Sequence, residues 1–416
     1  MKSSIILKID SIAYGGNGVG RHEGIVHFVP GVLPGETVLV RPTQKKKTYV
    51  IAHPEKIIKS SPNRVIPHCQ YALQISPEQH VYCPGCQYQH MSYNDELCIK
   101  NKQFGDLLER IAKLNPNLIK PPVASPKSYA YRNKIILHSL IKNNTCKYGY
   151  YTIDNKSLIE IKNCPLACDD INKLLKDINP KKLASPPATT TLTLRYTEND
   201  NAKYWIKPTV NDFTIQNQST ENNLLLQESS SFGKFYVPRD SFFQINIHLR
   251  NALIQETLNI LKENPTQYIF DLFCGVGVFG ICAAKITSKK VYASDIDNNA
   301  INTAKANADF HNIKDIKFLS MSALKAAHKV FREIKSKDVT LIIDPPRTGL
   351  NKKLTKDIAE IHRPKNIIYI SCAADTLCRD IKKFSEAGYS VEHSRLFDMF
   401  PRTSHFETIT FLTLNT

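Results

Sequence analysis

From Phe242 onward, short apolar runs alternate with stretches of helical spacing, and few folds accept that rhythm. The runs near 268–272, 291–295, 316–320, 339–343, 367–371, 389–396 and 408–414 read as strands. Ala300–Phe310 and Thr376–Ala387 read as helices between them, the second closed by Gly388 where a left-handed residue is favoured. Strands that are apolar along their whole length need cover on both faces. The alternation therefore predicts an α/β, Rossmann-like domain over 241–416, a mainly parallel sheet flanked by helices. Such sheets bind ligands beyond the carboxyl ends of their strands, so the strand ends are where chemistry is expected.

Three strand ends carry it. Asp271-Leu-Phe-Cys-Gly275-Val-Gly277 closes one strand, and its glycines let the backbone approach a ligand. Asp295 ends the next strand, placed to meet ribose hydroxyls. The G-x-G-x-x-G spacing of dinucleotide sites is absent, and an acid-led Gly-x-Gly turn suits S-adenosylmethionine instead. The bland alternative is a glycine turn with two solvated carboxylates. Asp344-Pro-Pro-Arg347 fixes a rigid turn that holds Asp344 on the same edge. Methyltransferases acting on nucleobase amino groups carry an aromatic residue after such an Asp-Pro-Pro, and here Arg347 stands there.

Cys372 ends Ile-Ile-Tyr-Ile-Ser-Cys (367–372) just before a helix. A helix N-terminus favours the thiolate, while Asp375 nearby opposes it. A buried packing cysteine is the ordinary alternative, and it is the reading given to Cys378. Thirty-five residues after Cys372, Glu407 precedes the last strand. A thiol and a carboxylate beside a methyl donor select the acceptor atom. Carbon 5 of a uracil is a poor nucleophile until a thiolate adds at carbon 6, and a base must then remove the carbon-5 proton. Nitrogen or oxygen methylation needs no such adduct. A non-enzymatic RNA-binding scaffold is the competing class.

The preceding residues divide into two further segments. Residues 1–60 show short strands punctuated by Pro30-Gly31 and Pro34-Gly35, which fits a small OB-like β-barrel. No helical pattern follows Gly16-x-Gly18-x-Gly20, so a phosphate loop is not expected there. Residues 61–240 read as a β-rich central domain, with a helix at 93–114 that packs on the catalytic domain. Strands are expected at 135–140, 191–195 and 204–206, and loops or a long-connection hairpin at 180–190 and 216–228. Cys69, Cys83-Pro-Gly-Cys86 and Cys164 can offer four thiolates to an iron–sulfur cluster or to zinc, or bind no metal; Cys98, Cys146 and Cys168 compete as ligands. Thirteen residues separate Cys69 from Cys83, so Tyr71–Tyr82 must loop out.

Composition narrows the partner. A formal charge of +17, from 55 Lys+Arg against 38 Asp+Glu, favours a polyanion. No apolar run approaches the ~20 residues of a membrane span. The N-terminus lacks the apolar core and cleavage site of a signal peptide. Eleven cysteines in a long chain of this kind point to metal or catalytic use rather than disulfides. A cytoplasmic location is expected.

These residues together resemble the RNA uracil-C5-methyltransferases, and especially the bacterial 23S rRNA branch, over nearly the whole chain. Gly-Gly-Asn-Gly-Val-Gly-Arg21 and Phe28-Val-Pro-Gly-Val-Leu-Pro-Gly-Glu36 are similar to the family's RNA-binding TRAM barrel. Tyr131-Arg-Asn-Lys134 and Ser241-Phe-Phe-Gln-Ile-Asn246 are similar to its central and junction motifs. The resemblance implies a [4Fe–4S] cluster on Cys69, Cys83, Cys86 and Cys164, and S-adenosylmethionine bound by Gln244, Phe273, Asp295 and Asp344. It further implies Cys372 as nucleophile, Glu407 as proton acceptor, an RNA substrate (23S rRNA) and a monomer. Where the family continues Asn-Pro after the nucleophile, this chain has Ala373-Ala374.

Overall fold

A computed structural model describes residues 3–76, 81–142, 145–153, 155–178, 190–208 and 225–415. The first five strands, β1 (Ile5–Ile12), β2 (Gly18–His22), β3 (Ile25–Val29), β4 (Thr37–Lys45) and β5 (Tyr49–Lys59), close into a barrel in the order β1-β2-β3-β5-β4. Period-two alternation puts Leu7, Ile9, Val38 and Val40 inside, around Val29, Val32 and Ala52. The glycine run serves this packing: a Cβ on Gly20 would collide with the Lys8 carbonyl oxygen.

After the cysteine loop comes α1 (Tyr93–Leu107), continued by a wider turn over Leu108–Ala112, and then β6 (Ile119–Val123). The central sheet follows: β7 (Lys134–Lys142), β8 (Thr145–Tyr151), β9 (Leu158–Glu160), α2 (Asp169–Asp177), β10 (Thr190–Thr197) and β11 (Asn201–Pro208). Its order is β11-β10-β7-β8-β9. Next is a hairpin of β12 (Leu225–Ser230) and β13 (Gly233–Pro238). The loops expected at 180–190 and 216–228 fall largely outside the described residues, but Thr190 opens β10 and Leu225–Glu228 is strand rather than loop.

The remainder runs α3 (Arg250–Glu263), β14 (Tyr268–Asp271), α4 (Val278–Thr287), β15 (Lys290–Asp295), α5 (Asn298–Phe310), β16 (Ile316–Ser320), α6 (Ala323–Ile334) and β17 (Val339–Ile343). It ends with α7 (Lys352–Lys356), β18 (Asn366–Ser371), α8 (Ala374–Glu386), β19 (Tyr389–Phe397) and β20 (Glu407–Leu414). Eight strands form the sheet in the order β16-β15-β14-β17-β18-β20-β19-β6. Strands β14 to β18 run parallel, and β20 lies antiparallel between β18 and β19. β17 and β18 are buried at every residue, as continuous apolar runs require.

Strand β6 comes from outside the 241–416 segment, yet pairs with β19 as an edge strand. Its Pro121-Pro122 is tolerated because an edge needs hydrogen bonds on one side only. α1 and β6 therefore tie the cysteine loop to the catalytic sheet. No helix among the described residues is long and apolar enough to cross a membrane.

Candidate active site and cysteine cavity

Parallel strands bring their carboxyl ends to one edge, and this places Asp271, Asp295, Asp344 and Cys372 together along the sheet. Glu407 arrives from the opposite direction. The antiparallel register pairs Ser371 with Thr408, so one step further along it Cys372 stands opposite Glu407. The nucleophile and base expected from sequence thus share one corner.

The glycine turn after β14 is shaped for close approach. Gly277, at φ +89°, opens α4, and Gly275 also has positive φ. The Gly275 amide donates to Asp295 Oδ2 at 2.9 Å, and the Gly280 amide donates to Asp271 Oδ2 at 2.9 Å. The other Asp271 oxygen is buried without a partner, as are Gln244 Oε1 and Glu407 Oε2. Three orphaned acceptors on three separate elements are what a ligand carrying donors or positive charge would satisfy. Gln244 sits on the junction loop before α3, where Asn246 donates to Ser125 Oγ and to the Met399 carbonyl. Phe273 is half-buried at the tip of the glycine turn.

Burial governs the titration of this edge. It pushes Asp271 up to about 8, with Asp344 and Asp295 adding to it. It pushes Asp344 up to about 7. Glu407 is held well above the carboxylate range by burial and then by Asp344, against Arg347. Cys372 goes up to about 11, first by burial and then by Glu407 and Asp344, with Arg347 opposing. The expected thiolate-favouring helix end is therefore outweighed. The thiol precedes the helix cap, and its strongest charged neighbours are carboxylates from other strands, not Asp375. In the ligand-free protein Cys372 holds its proton.

Arg347 is the cation facing this corner, a role that its place in the Asp-Pro-Pro-Arg turn does not announce. Tyr14 is the second residue that sequence reasoning missed: its hydroxyl accepts the Ala374 amide at 3.2 Å. Nothing local marks a barrel tyrosine as the neighbour of residue 374. Cys378 is buried in the main core, as read.

The loop ahead of Glu407 is anchored from α1. Lys100 Nζ, fully buried, lies 2.7 Å from both Glu96 and Asp398 and donates to the Phe400 carbonyl. The Arg402 amide donates to Glu96 at 2.6 Å, and its guanidinium sits over Tyr93 and Tyr129. Tyr131 donates to the Pro401 carbonyl, and the Ser404 amide to Gln87 Oε1 at 2.9 Å.

Cys69, Cys83, Cys86 and Cys164 line one cavity of about 70 Å³ with Arg132 and Tyr150, apart from the cofactor edge. The Cys83 amide donates to the Tyr71 carbonyl, drawing together the two ends of the long insertion between Cys69 and Cys83. None of the eleven cysteines is in a disulfide. Among the described residues no three His, Cys, Asp or Glu side chains stand in a geometry that holds a single metal ion. Four of the residues around the cavity are thiols, with no carboxylate or imidazole among the lining residues, a donor set found in zinc and in iron–sulfur sites alike.

A glycine turn, an acid ending β15 and an antiparallel strand inserted beside β18 define a class I methyltransferase, dependent on S-adenosylmethionine. Residues 211–415 match the family described as tRNA (Uracil-5-)-methyltransferase. Over those residues the chain is similar to the RNA uracil-C5-methyltransferases. It is 27% identical to an uncharacterized RNA methyltransferase of Listeria innocua, spanning 99% of this chain and 98% of the relative. It is 28% identical to one from Aquifex aeolicus, spanning 98% and 97%. In fold it is similar to the Pyrococcus abyssi tRNA (uracil-54, C5)-methyltransferase solved with S-adenosyl-L-homocysteine. That match has a TM-score of 0.68 and 23% identity, covering 98% of this chain and all of the other.

Proposed function

We propose that this enzyme methylates carbon 5 of a uridine in 23S rRNA through a covalent adduct on Cys372. The observation that carries the mechanism is the register that ends with Ser371 opposite Thr408, which makes Cys372 and Glu407 the next residue on each chain at the edge that holds the glycine turn. Cys372 adds to carbon 6 of the uracil, and the electron pair of the 5,6 double bond moves onto carbon 5 and the O4 carbonyl. Because the resting thiol is protonated, a carboxylate must take its proton as the sulfur adds to carbon 6; Asp344 takes it, which leaves Glu407 ionised for the carbon-5 proton. S-adenosylmethionine supplies an electrophilic methyl group. Glu407 then removes the carbon-5 proton, the ring double bond re-forms, and the Cys372 sulfur leaves with its electron pair.

Gln244, Phe273, Asp295 and Asp344 would hold the cofactor. The four cysteines would hold a [4Fe–4S] cluster that braces the loop and takes no part in the methyl transfer. The barrel, as a TRAM-like module, would grip RNA by phosphate and stacking contacts while the target base leaves its stack. The enzyme would act as a cytoplasmic monomer. A tRNA target is the second reading, favoured by the archaeal tRNA enzyme whose fold matches 98% of this chain, barrel included.

RNA carrying 5-fluorouridine should trap a denaturation-resistant complex with the parent protein and none with Cys372→Ala. Glu407→Gln should build up adduct with ordinary RNA. Cys372→Ala that still transfers methyl at the parent rate would overturn the mechanism. Mass spectrometry of rRNA and tRNA from cells lacking the protein separates the two targets. Iron and sulfide in anaerobically purified protein test the cluster, and zinc without iron would overturn it.

A further inference from the structure

Tyr14 follows β1 in the turn that leads to β2, some 360 residues from the nucleophile in sequence. Its hydroxyl accepts the amide of Ala374, the first residue of α8 and two residues beyond Cys372. That amide is one of the donors at a helix start that have no partner within the helix. A Ser, Thr, Asp or Asn at the cap position ordinarily accepts such donors, but the cap here is Ala373, which has no side-chain acceptor. The Ala373 amide itself turns back to Ser371 Oγ at 3.1 Å. The barrel therefore supplies from another domain the acceptor that this helix start lacks.

Five further contacts hold Tyr14 and its turn in place. Gln103 of α1 donates to the carbonyls of Ile12 and Ala13 at 3.1 and 2.9 Å, the two residues before it. The turn is closed by the Ala13 amide on the Asn17 carbonyl and the Gly16 amide on the Ala13 carbonyl. The Tyr14 ring meets Phe406 edge-on at 5.9 Å, and Phe406 immediately precedes Glu407. One side chain thus touches the loop after the nucleophile through its hydroxyl and the residue before the base through its ring.

We propose that Tyr14 is a positioning residue for methyl transfer, holding the start of α8 so that Cys372 stays opposed to Glu407. The barrel is then a structural part of the active site as well as a grip for RNA. The inference rests on the reading of Cys372 as nucleophile. The chain's own sequence offers the means of testing it, because replacing Ala374 with proline removes the amide that Tyr14 accepts, at a first helical position where proline is well tolerated.

The test uses full-length protein, bulk rRNA from cells lacking it, and S-adenosylmethionine with a labelled methyl group. Tyr14→Phe should lower kcat roughly tenfold, as expected when a reacting group shifts by a fraction of an ångström, with KM for S-adenosylmethionine and Tm little changed. Freed from Glu407 and Asp344, the Cys372 thiol should ionise more readily, so iodoacetamide should alkylate its peptide severalfold faster while turnover slows. In an Ala374→Pro background, Tyr14→Phe should have no further effect on either measurement. Unchanged kcat and unchanged alkylation in Tyr14→Phe would overturn the proposal, and so would an equal loss in the Ala374→Pro background. If Ala374→Pro is itself inactive, the alkylation rates of that protein with and without Tyr14→Phe still decide. Full methyl transfer by Cys372→Ala would instead remove the nucleophile reading and leave the Tyr14 contact as a purely structural one.

Discussion

Two groups of buried or half-buried carboxylates adjoin the loop that ends at Glu407, and their surroundings differ. Glu96 and Asp398 share Lys100, and Arg402 reaches Glu96 as well. Asp271, Asp344 and Glu407 line the cofactor edge, and among the described residues no ion pair joins a cation to any of them. Arg347, exposed, opposes the charge at Glu407 from nearby. The first group carries its own cations, although Glu96 Oε2 and Asp398 Oδ2 accept no hydrogen bond, and it fixes the loop that ends at Glu407. The second has no ion-paired cation among the described residues, and under the proposed function a sulfonium with an ammonium group would supply the positive charge. Burial still pushes Glu96 up to about 7, so pairing lessens the cost of burial there without removing it.

The sharpest way to break this comparison is to remove the shared cation. Lys100→Met leaves two carboxylates buried with one guanidinium, 3.5 Å from Glu96 and paired with it alone, and breaking a buried pair in this way costs about 3–5 kcal/mol. Urea denaturation should show that loss. Arg347→Met, on the exposed side of the other group, should change stability by no more than about 0.5 kcal/mol. Equal losses in the two variants would mean that the two groups are not different in kind.

pH sharpens the comparison next. Asp271 and Asp344 have folded-state pKa values of about 8 and 7, above their unfolded values. The folded protein therefore binds more protons than the unfolded chain between roughly pH 4 and 8. Their contribution to stability is fully present below the unfolded carboxylate pKa and is lost as pH rises through 7 to 8. Ligand-free protein should lose stability over that window, and Asp271→Asn should flatten the slope. S-adenosylmethionine should bind more tightly as pH rises through the same range, since its positive charge favours the ionised carboxylates. Affinity that is flat from pH 6 to 8.5 would count against the unanswered-carboxylate view.

The sequence made the cofactor edge legible because its strands are continuous apolar runs, and their ends carry the chemistry in full view. The Cys372–Glu407 pairing needs only one antiparallel register beyond that. The base-loop anchor was illegible for a physical reason. Helical periodicity is read from apolar residues, and α1 buries Glu96, Lys100 and Gln103 beside Phe104. Outside the helix, the partners of Glu96 and Lys100 lie about 300 residues later, and those of Gln103 up to about 90 residues earlier. Strand β6 was hidden by its two prolines. The direction of the Cys372 shift was left open in the sequence, because a local helix-end rule says nothing of carboxylates delivered by neighbouring strands.

The smallest expected effect concerns the link between the cysteine cavity and the base. Gln87 follows Cys86, and its side chain accepts the Ser404 amide three residues ahead of Glu407 while donating to the Pro84 carbonyl within the Cys-x-x-Cys turn. It is the direct hydrogen-bonded step from the cysteine loop to the base loop, alongside the Tyr88 amide on the Arg402 carbonyl. Gln87→Ala should cost about 1–2 kcal/mol, because the buried Ser404 amide loses its acceptor. With Lys100 and Arg402 intact, the loop should keep its course and loosen only near its end. Adduct formation at Cys372 should then proceed at nearly the parent rate while proton removal by Glu407 slows, so the variant should accumulate adduct that the parent clears. Denaturing gels of quenched reactions would show this as a transient RNA–protein band absent from the parent. A variant with parent-like clearance but the full stability loss would confine Gln87 to bracing the fold, leaving support of the base to the ion pairs behind the loop and to Tyr131, Tyr88 and Tyr14.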